Sequence, residues 1–319
     1  MPHAELEPVA PQNLVLNRHT PREPAVARLV KNEICTATRK SAGFARHVSF
    51  DVSGSGLAGV VRPGQCFGVI PPGVDSRGKP HKLRLYSSSS PTRGEDGKGE
   101  VIATVVKRLI DEDWESHKLF LGLASNYLCD LQEGEEVLLT GPSGKRFVLP
   151  SNADQFNYVF FATGTGIAPF RGMVMDLLER GVDRSVVLVA GSPYASDLLY
   201  HTQFMELSRA HENFTYLTAV SRQKQEDGHG RLYVHDRLTT NADELRPILE
   251  ADNTLVYICG LTGMELGIYE QLAKQLNGAG LQRYLEVDPK VLDDVSTWER
   301  SMVGKQIRRT HRVMVEVYD

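Results

Sequence analysis

Two different hydrophobic patterns divide the chain near residue 150. Before that point, short apolar runs with alternating polar positions are separated by turns rich in Gly, Pro and Asp. Runs of this length, with no clear helix between most of them, predict a small antiparallel β-barrel of the Greek-key type. The six runs are 25–35, 45–53, 65–72, 81–90, 100–110 and 135–141.

After Pro150, apolar strands alternate with helical patterns. The strands begin near Tyr158, Ser185, Phe214 and Thr254, and a β-branched run ends the chain. Strand, turn and helix repeated four times predict a doubly wound parallel sheet. The sequence therefore predicts two domains, a β-barrel over 25–150 and an α/β domain over 151–319. A proline-rich flexible arm over 1–24 precedes them.

Composition excludes several classes of protein. A net charge of −4 in 319 residues argues against a nucleic-acid binder, which needs basic side chains to neutralise phosphates. Four scattered cysteines offer no ligand set for zinc or an iron–sulfur cluster. No apolar run is long enough for stable membrane insertion, and the start is unlike a secretory signal. We expect a cytoplasmic protein; the sequence leaves the oligomeric state open, with a monomer favoured.

A glycine turn joins the first strand of the second domain to a helix. Gly164, Thr165 and Gly166 stand in this turn, and Pro169 lies in the first turn of the helix. Glycines let the backbone approach a ligand closely, and free amides at a helix start favour a phosphate. A tight strand-to-helix connection with no ligand is the alternative explanation.

Residues after the next two strands suggest which dinucleotide is bound. The second strand ends without the carboxylate that usually holds a ribose hydroxyl. The third ends in Ser221 and Arg222, and Arg231 and Tyr233 follow. A hydroxyl, two guanidinium groups and an aromatic ring suit an adenosine 2′-phosphate, which predicts a preference for NADPH over NADH of at least about a hundredfold. Either arginine alone could instead be a solvated loop charge.

In the first domain, the run 84–87 carries a cation and a ring on one face. Alternation places Arg84 and Tyr86 together, where they could bind a pyrophosphate and a flat cofactor. A tyrosine on the barrel surface is the simpler alternative for this short motif.

Taken together, these motifs resemble the plant-type ferredoxin–NADP⁺ reductases, in the order and spacing of that family. The resemblance runs from Arg18 to Tyr318. The matching segments are RLYS at 84–87, VKRL at 106–109, SNYLCDL at 125–131, LTGPSGK at 139–145, GTGIAPFRG at 164–172, the pattern from Ser221 to Tyr233, CGLTGM at 259–264 and VEVY at 315–318.

The resemblance implies an FAD barrel and an NADP domain, with the nicotinamide meeting the flavin in the cleft between them. Arg84 and Ser125 would bind the FAD pyrophosphate, Tyr86 would pack on one flavin face, and Ser87 would hydrogen-bond near flavin N5. The same motifs imply further cofactor-binding positions at Leu85, Lys107, Ala124, Gly260, Leu261 and Met264.

The resemblance also implies a catalytic set of Ser87, Cys259, Glu316 and Tyr318. Tyr318 would cover the second flavin face as a gate that nicotinamide displaces. Thr165, Cys259 and Glu316 would complete the hydride-transfer pocket, with Glu316 bonded to Ser87 on a proton route to N5. Simpler alternatives are a packing role for the strand cysteine and a solvated carboxylate near the chain end.

The sequence departs from the family pattern at three places. Asp319 follows the tyrosine that normally ends the chain. Asp111 replaces an aromatic residue that stacks on the FAD adenine, so either Trp114 substitutes for it or the adenine is held less firmly. Ala124 stands where the family has a cysteine.

The leading hypothesis is an FAD enzyme that moves electrons between NADP(H) and ferredoxin or flavodoxin. The carrier must be a separate protein that docks transiently through charge. One alternative is a reductase component that feeds an oxygenase through a separate carrier, and another is a non-catalytic flavin-binding protein. A basic docking face, each of whose members could equally be a solvated charge, would comprise Lys82, Lys107, Arg108, Lys145 and Arg146.

Overall fold

The computed structural model describes residues 6–41 and 44–318, which divide into two compact units. The barrel unit contains the described residues of 11–149 together with Ala168–Asp176. The sheet unit contains residues 6–10, Pro150–Ile167 and 177–318. Asp319 lies outside the described residues.

The barrel unit contains eight strands and one helix among its described residues. Six strands form one antiparallel sheet in the order β4-β3-β8-β1-β2-β5, and β6 and β7 form a separate hairpin. A bridge between Ser88 and Thr104 joins the chain after β4 to β5 and closes the sheet, which confirms the predicted barrel. The elements are β1 Ala25–Ile34, β2 Ala45–Asp51, β3 Cys66–Ile70, β4 Arg84–Ser87, β5 Val101–Lys107, β6 Ile110–Glu112, β7 Leu119–Leu121, α1 Leu123–Asp130 and β8 Glu136–Ser143.

The sheet unit is built on five parallel strands in the order β11-β10-β9-β12-β15. The central strands are buried on both faces, as parallel strands covered by helices must be. This order confirms the predicted doubly wound sheet. Because the strands are parallel, their carboxyl ends all lie on the same side of the sheet. The elements are β9 Asn157–Thr163, α2 Ile167–Glu179, β10 Val186–Ser192, α3 His201–Ala210, β11 Phe214–Val220, α4 Arg237–Thr240, α5 Ala242–Glu250, β12 Thr254–Leu261, α6 Met264–Gln275, α7 Gly278–Gln282, β13 Leu285–Val287, α8 Pro289–Leu292, β14 Ile307–Arg309 and β15 Val313–Tyr318.

The units do not follow the predicted domain boundaries at every point. The segment Ala168–Asp176 of α2 belongs to the barrel unit, where Arg171 binds the carboxylate of Glu95 at 2.7 and 3.0 Å. The described part of the predicted arm is also attached, since the amides of Asn17 and His19 donate to the chain at 141–142. The division at residues 24 and 150 therefore stays a prediction.

Helix α1 and the β6–β7 hairpin have no counterpart among the predicted elements. The residue before α1 is Gly122, and no side chain in the described part of the chain caps this helix. Its eight residues are held by tertiary contacts, which can stabilise a helix that has no local start signal. Among the described residues, no helix is long and apolar enough to cross a membrane.

Candidate active site

Strand β4 presents the predicted cation and ring at one edge of the barrel. The Arg84 side chain is exposed, and its guanidinium donates to the carbonyls of Lys82 and Leu83 at 3.2 Å each. Tyr86 is half-buried against the barrel core, and burial raises the pKa of its phenol to about 12. Tyr86 thus offers a neutral aromatic ring on the same strand as the exposed guanidinium of Arg84. Leu85, which lies between them, is also exposed.

Ser87 is held in place by its neighbours on two strands. Its carbonyl accepts a 2.7 Å hydrogen bond from the Thr104 hydroxyl of β5. Its own hydroxyl lies 3.6 Å from the Sγ of Cys66, the residue paired with it across β3 and β4. Cys66 is a contact that the sequence analysis missed, because only strand register brings these two residues together.

The start of α1 is suited to bind an anion. Because Gly122 brings no capping side chain, the first amides of the helix are available, and the positive end of the helix dipole is there. The Ser125 hydroxyl donates to the Gly122 carbonyl at 3.1 Å and accepts from the Leu109 amide at 3.2 Å. With Ala124 and Ser125 at this helix start and Arg84 exposed on β4, the barrel unit has the donors that a pyrophosphate such as that of FAD requires.

Two other predictions about the barrel unit stay predictions, and the structure shows the surroundings of their residues. Arg108 forms an ion pair with Asp130 and donates to Asn126 at 2.8 Å, and these contacts brace α1. The other members of the predicted basic docking face, Lys82, Lys107, Lys145 and Arg146, are exposed. Trp114, at the turn of the β6–β7 hairpin, has 90% of its surface exposed.

In the sheet unit, the glycine turn packs on the end of β12. A Cβ at Gly166 would stand 2.2 Å from the carbonyl oxygen of Cys259, so a larger residue cannot approach so closely. The turn brings the Thr165 hydroxyl to 2.7 Å from the Tyr318 hydroxyl. The structure thus brings together four of the predicted residues, Thr165, Gly166, Cys259 and Tyr318, at the carboxyl ends of the strands, and α2 with Pro169 follows directly.

Glu316 lies next to Cys259 across β12 and β15. Cys259 is 1% exposed. Burial raises the pKa of Glu316 to about 7, against the opposing effect of Arg309, so this carboxyl can hold or release a proton near neutral pH. Burial likewise raises the pKa of Tyr318, whose ring stays neutral and whose carbonyl accepts from the Thr262 amide at 3.0 Å.

Thr163 is a positioning residue that the sequence analysis missed. Its hydroxyl accepts from the Leu261 amide at 2.9 Å and contacts the Met264 sulfur at 3.3 Å. Gly260 has φ +146°, and a Cβ there would collide with the Thr163 hydroxyl. A hydroxyl residue directly before the glycine turn was the available signal.

The loop after β11 carries the predicted 2′-phosphate residues. Its start is tied to the end of β10, because the Ser221 and Arg222 amides donate to the Ser192 and Pro193 carbonyls at 3.1 and 2.9 Å. The Arg222 guanidinium lies 6.0 Å from the ring centre of Tyr194, a cation–π distance. The sequence analysis also missed Tyr194, although its place directly after the end of a predicted strand can be read from the sequence.

The end of the same loop presents a cation and an open ring. Arg231 is exposed, and Tyr233 is 64% exposed while it stacks on His235 with 5.6 Å between ring centres. Two exposed guanidinium groups, a hydroxyl and an exposed aromatic ring on one loop fit an adenosine 2′-phosphate. This donor set fits NADP(H).

Comparisons with known proteins agree with this arrangement. Residues 160–269 match the family model described as Oxidoreductase NAD-binding domain, which covers most of the first part of the parallel sheet. A ferredoxin–NADP reductase from Spirulina sp is 36% identical over 97% of this chain and 100% of its own length. A leaf-type chloroplastic one from Nicotiana tabacum is 38% identical over 81% of this chain and 72% of its own length. The chain belongs to the ferredoxin–NADP reductase family.

Solved structures support the same fold. A ferredoxin–NADP⁺ reductase from Plasmodium falciparum matches with a TM-score of 0.69 and 21% identity, over 95% of this chain and 99% of that one. A structure of that protein with 2′P-AMP matches with a TM-score of 0.65. Membership of an FAD-dependent, NADP-binding family confirms the two predicted cofactors, whereas the role of each site residue stays a prediction.

Proposed function

We propose that this protein catalyses electron transfer between NADP(H) and ferredoxin through bound FAD. Similarity along nearly the whole chain to ferredoxin–NADP reductases supports this function, and no observation favours an oxygenase reductase instead. One observation supports this proposal most directly: Thr165, Cys259 and Tyr318 lie close together at the carboxyl ends of the parallel strands.

FAD, when bound, accepts electrons from NADPH in pairs and releases them singly, as a one-electron carrier requires. Arg84 and the amides at the start of α1, near Ala124 and Ser125, bind its pyrophosphate. Tyr86 supports the flavin ring on one face. Ser87, fixed by Thr104 and Cys66, orients its hydroxyl toward the reacting end of the ring.

The sheet unit binds and orients the coenzyme. Ser221, Arg222 and Arg231 neutralise the 2′-phosphate, and Tyr233 packs on the adenine. The glycine turn at 164–166 and the turn at 260–264 approach the phosphates and the nicotinamide. The 2′P-AMP in a structural relative supports this assignment for the 2′-phosphate.

Tyr318 controls access of the nicotinamide, and Glu316 handles the proton. The Thr165 hydroxyl holds the Tyr318 ring, so displacing the ring costs binding free energy. Until it is displaced, the ring keeps water from the flavin. Burial raises the pKa of Glu316 to about 7, so this carboxyl can take up or release a proton near neutral pH.

Ferredoxin is the proposed physiological carrier, and flavodoxin is the second acceptor that the same charges would serve. We infer a transient complex in which Lys82, Lys107, Lys145 and Arg146 attract an acidic protein. We also propose a monomer and a reducing cytoplasm. The absence of a disulfide among the four cysteines, all within the described residues, supports the reducing compartment.

Anaerobic addition of coenzyme to the purified yellow protein tests the first half of the reaction. We expect one equivalent of NADPH to bleach the flavin absorbance rapidly, and the same concentration of NADH to do so far more slowly. A yellow protein that NADPH does not bleach would contradict the proposal and favour a non-catalytic flavoprotein.

A further inference from the structure

The loop between Val220 and Leu232 is folded around one buried amide side chain. Gln225 is 5% exposed, although the residues on either side of it are exposed. Its side-chain oxygen accepts from the Val220 amide at 2.9 Å, and its side-chain nitrogen donates to the carbonyls of Val220 and Gly230 at 2.7 and 2.9 Å. The side chain therefore ties the two ends of the loop together.

Backbone hydrogen bonds complete the same closure. The Leu232 amide donates to the Val220 carbonyl at 3.0 Å, and the Gln225 amide donates to the His229 carbonyl at 2.9 Å. Arg222 stands just after the first tied end, and Arg231 stands just after the second. The separation of these two cations thus depends on the hydrogen bonds that Gln225 makes.

A second buried side chain fixes the acidic part of the loop. Arg237 is 2% exposed, donates to the Thr218 carbonyl at 2.8 Å and forms an ion pair with Asp227. A carboxylate that moved freely on this loop would repel a bound phosphate. The ion pair holds Asp227 in one place and offsets its charge.

We propose that Gln225 is a positioning residue that sets the preference for the 2′-phosphorylated coenzyme, by fixing the loop that carries Arg222 and Arg231 before the ligand arrives. Gln225 itself does not touch the ligand. This inference rests on the proposed function of the loop as the 2′-phosphate site. Its physical basis is preorganisation, because a loop that is already ordered loses less conformational entropy on binding.

The mechanism predicts a selective effect. Without the Gln225 hydrogen bonds, the distance between the Arg222 and Arg231 guanidinium groups is no longer fixed, so their contacts to the 2′-phosphate weaken. Tyr233, the proposed adenine contact, follows the second tied end of the loop and is held separately, because its amide donates to the Asp236 carboxylate at 2.7 Å and its ring stacks on His235. This contact therefore persists. A ligand without the 2′-phosphate is therefore almost unaffected.

The test compares two probes by calorimetry on the holoprotein: adenosine 2′,5′-bisphosphate and adenosine 5′-monophosphate. Gln225→Leu removes every side-chain hydrogen bond at similar volume. Gln225→Asn keeps the amide with one methylene less and is the milder variant. Gln223→Leu is the matched control, since Gln223 lies two residues away on the same loop and its side chain makes no hydrogen bond within the described residues.

We expect Gln225→Leu to weaken bisphosphate binding at least about tenfold, which corresponds to about 1.4 kcal/mol, and to change monophosphate binding less than twofold. The KM for NADPH rises in parallel, while kcat at saturating NADPH stays within about twofold of the wild type. Gln225→Asn shifts in the same direction by a smaller factor, and Gln223→Leu changes neither probe.

Two failures are distinguishable. If the wild type binds both probes equally, the proposed NADP site is wrong. If the wild type prefers the bisphosphate and both Gln225 variants keep that preference, the inference about Gln225 is overturned. An equal loss for both probes also overturns it, because that result assigns Gln225 a general structural role.

Discussion

Two hydrogen bonds hold Tyr318 in a defined position. Its hydroxyl bonds to Thr165 at 2.7 Å, and its carbonyl accepts from the Thr262 amide at 3.0 Å. In the gate that we propose, the ring leaves this position before nicotinamide stacks. A hydrogen bond of this kind contributes on the order of 1 kcal/mol net, which is enough to bias coenzyme binding without blocking it.

Replacing the ring tests this gate. Tyr318→Ser is expected to tighten nicotinamide binding and to raise turnover with NADH by about tenfold or more, since a displacement cost of about 1.4 kcal/mol disappears. Tyr318→Phe, which keeps the ring and loses only the Thr165 bond of about 1 kcal/mol, should show a smaller gain of up to about fivefold. Steady-state kinetics with both coenzymes measure the effect, and an unchanged preference in Tyr318→Ser would count against the gate.

The cation at Arg231 tests recognition of the 2′-phosphate directly. A charge-assisted contact contributes roughly 1.5–3 kcal/mol, so Arg231→Ala should raise the KM for NADPH by about ten- to a hundredfold and spare NADH. Lys224→Ala removes an exposed cation of the same loop and serves as the control. Equal losses for NADPH and NADH would refute the assigned contact.

Burial of Glu316 makes stability depend on pH. Its pKa rises from 4.5 to about 7 on folding, so the folded state binds more protons than the unfolded state between these values. The free energy of unfolding should therefore fall as pH rises through this window, and this component should vanish in Glu316→Gln. Denaturant unfolding of both proteins at pH 5 and pH 8 measures it; identical pH dependence would show that the carboxyl titrates normally.

At the scale of elements, the Asn126 side chain ties the start of helix α1 to the chain before it. Its side-chain amide donates to the carbonyls of Leu109 and Gly122 at 2.9 and 2.8 Å, and its oxygen accepts from Arg108. These bonds aim the uncapped start of the helix, which we assign to the FAD pyrophosphate.

Loss of this anchor should loosen FAD. Asn126→Ala is expected to raise the FAD dissociation constant by about tenfold, because the helix amides are no longer preorganised for the anion. Fluorescence of released FAD measures this, and a melting curve checks that the barrel remains folded. Retention of FAD equal to that of the wild type would show that α1 does not depend on Asn126.

The elements differ in how well the sequence predicts them. Parallel strands such as β9 lie within one or two residues of the predicted runs, because strands buried on both faces carry unbroken apolar sequence. Helix α1 and the β6–β7 hairpin were missed. Tertiary contacts rather than local propensity hold α1, and the two hairpin strands have only three residues each, all of them exposed, so they show no alternation of buried and exposed positions.

Site residues follow the same division. Thr165 and Cys259 were found through their motifs, and the structure adds why Gly166 must lie between them. Thr163, Tyr194 and Gln225 were missed because each acts through contacts with residues that lie outside its motif. Only strand order and loop closure make such contacts visible.

At the scale of the whole molecule, the acidic excess of the chain is uneven. The net charge is −4, yet the second half carries the acidic excess and the barrel keeps exposed Lys82, Lys107, Lys145 and Arg146. We therefore propose that an acidic electron carrier docks on the barrel unit although the molecule as a whole is acidic. Such attraction is screened by salt over about 10 Å at 0.1 M.

The most direct measurement of the central claim is cytochrome c reduction driven by NADPH, with and without added ferredoxin. The account predicts that the rate rises with ferredoxin concentration until it saturates. At equal subsaturating coenzyme concentration, the rate with NADH should be at least about a hundredfold lower than with NADPH. The rate should also fall as ionic strength increases. A rate that is the same with and without ferredoxin would contradict the account.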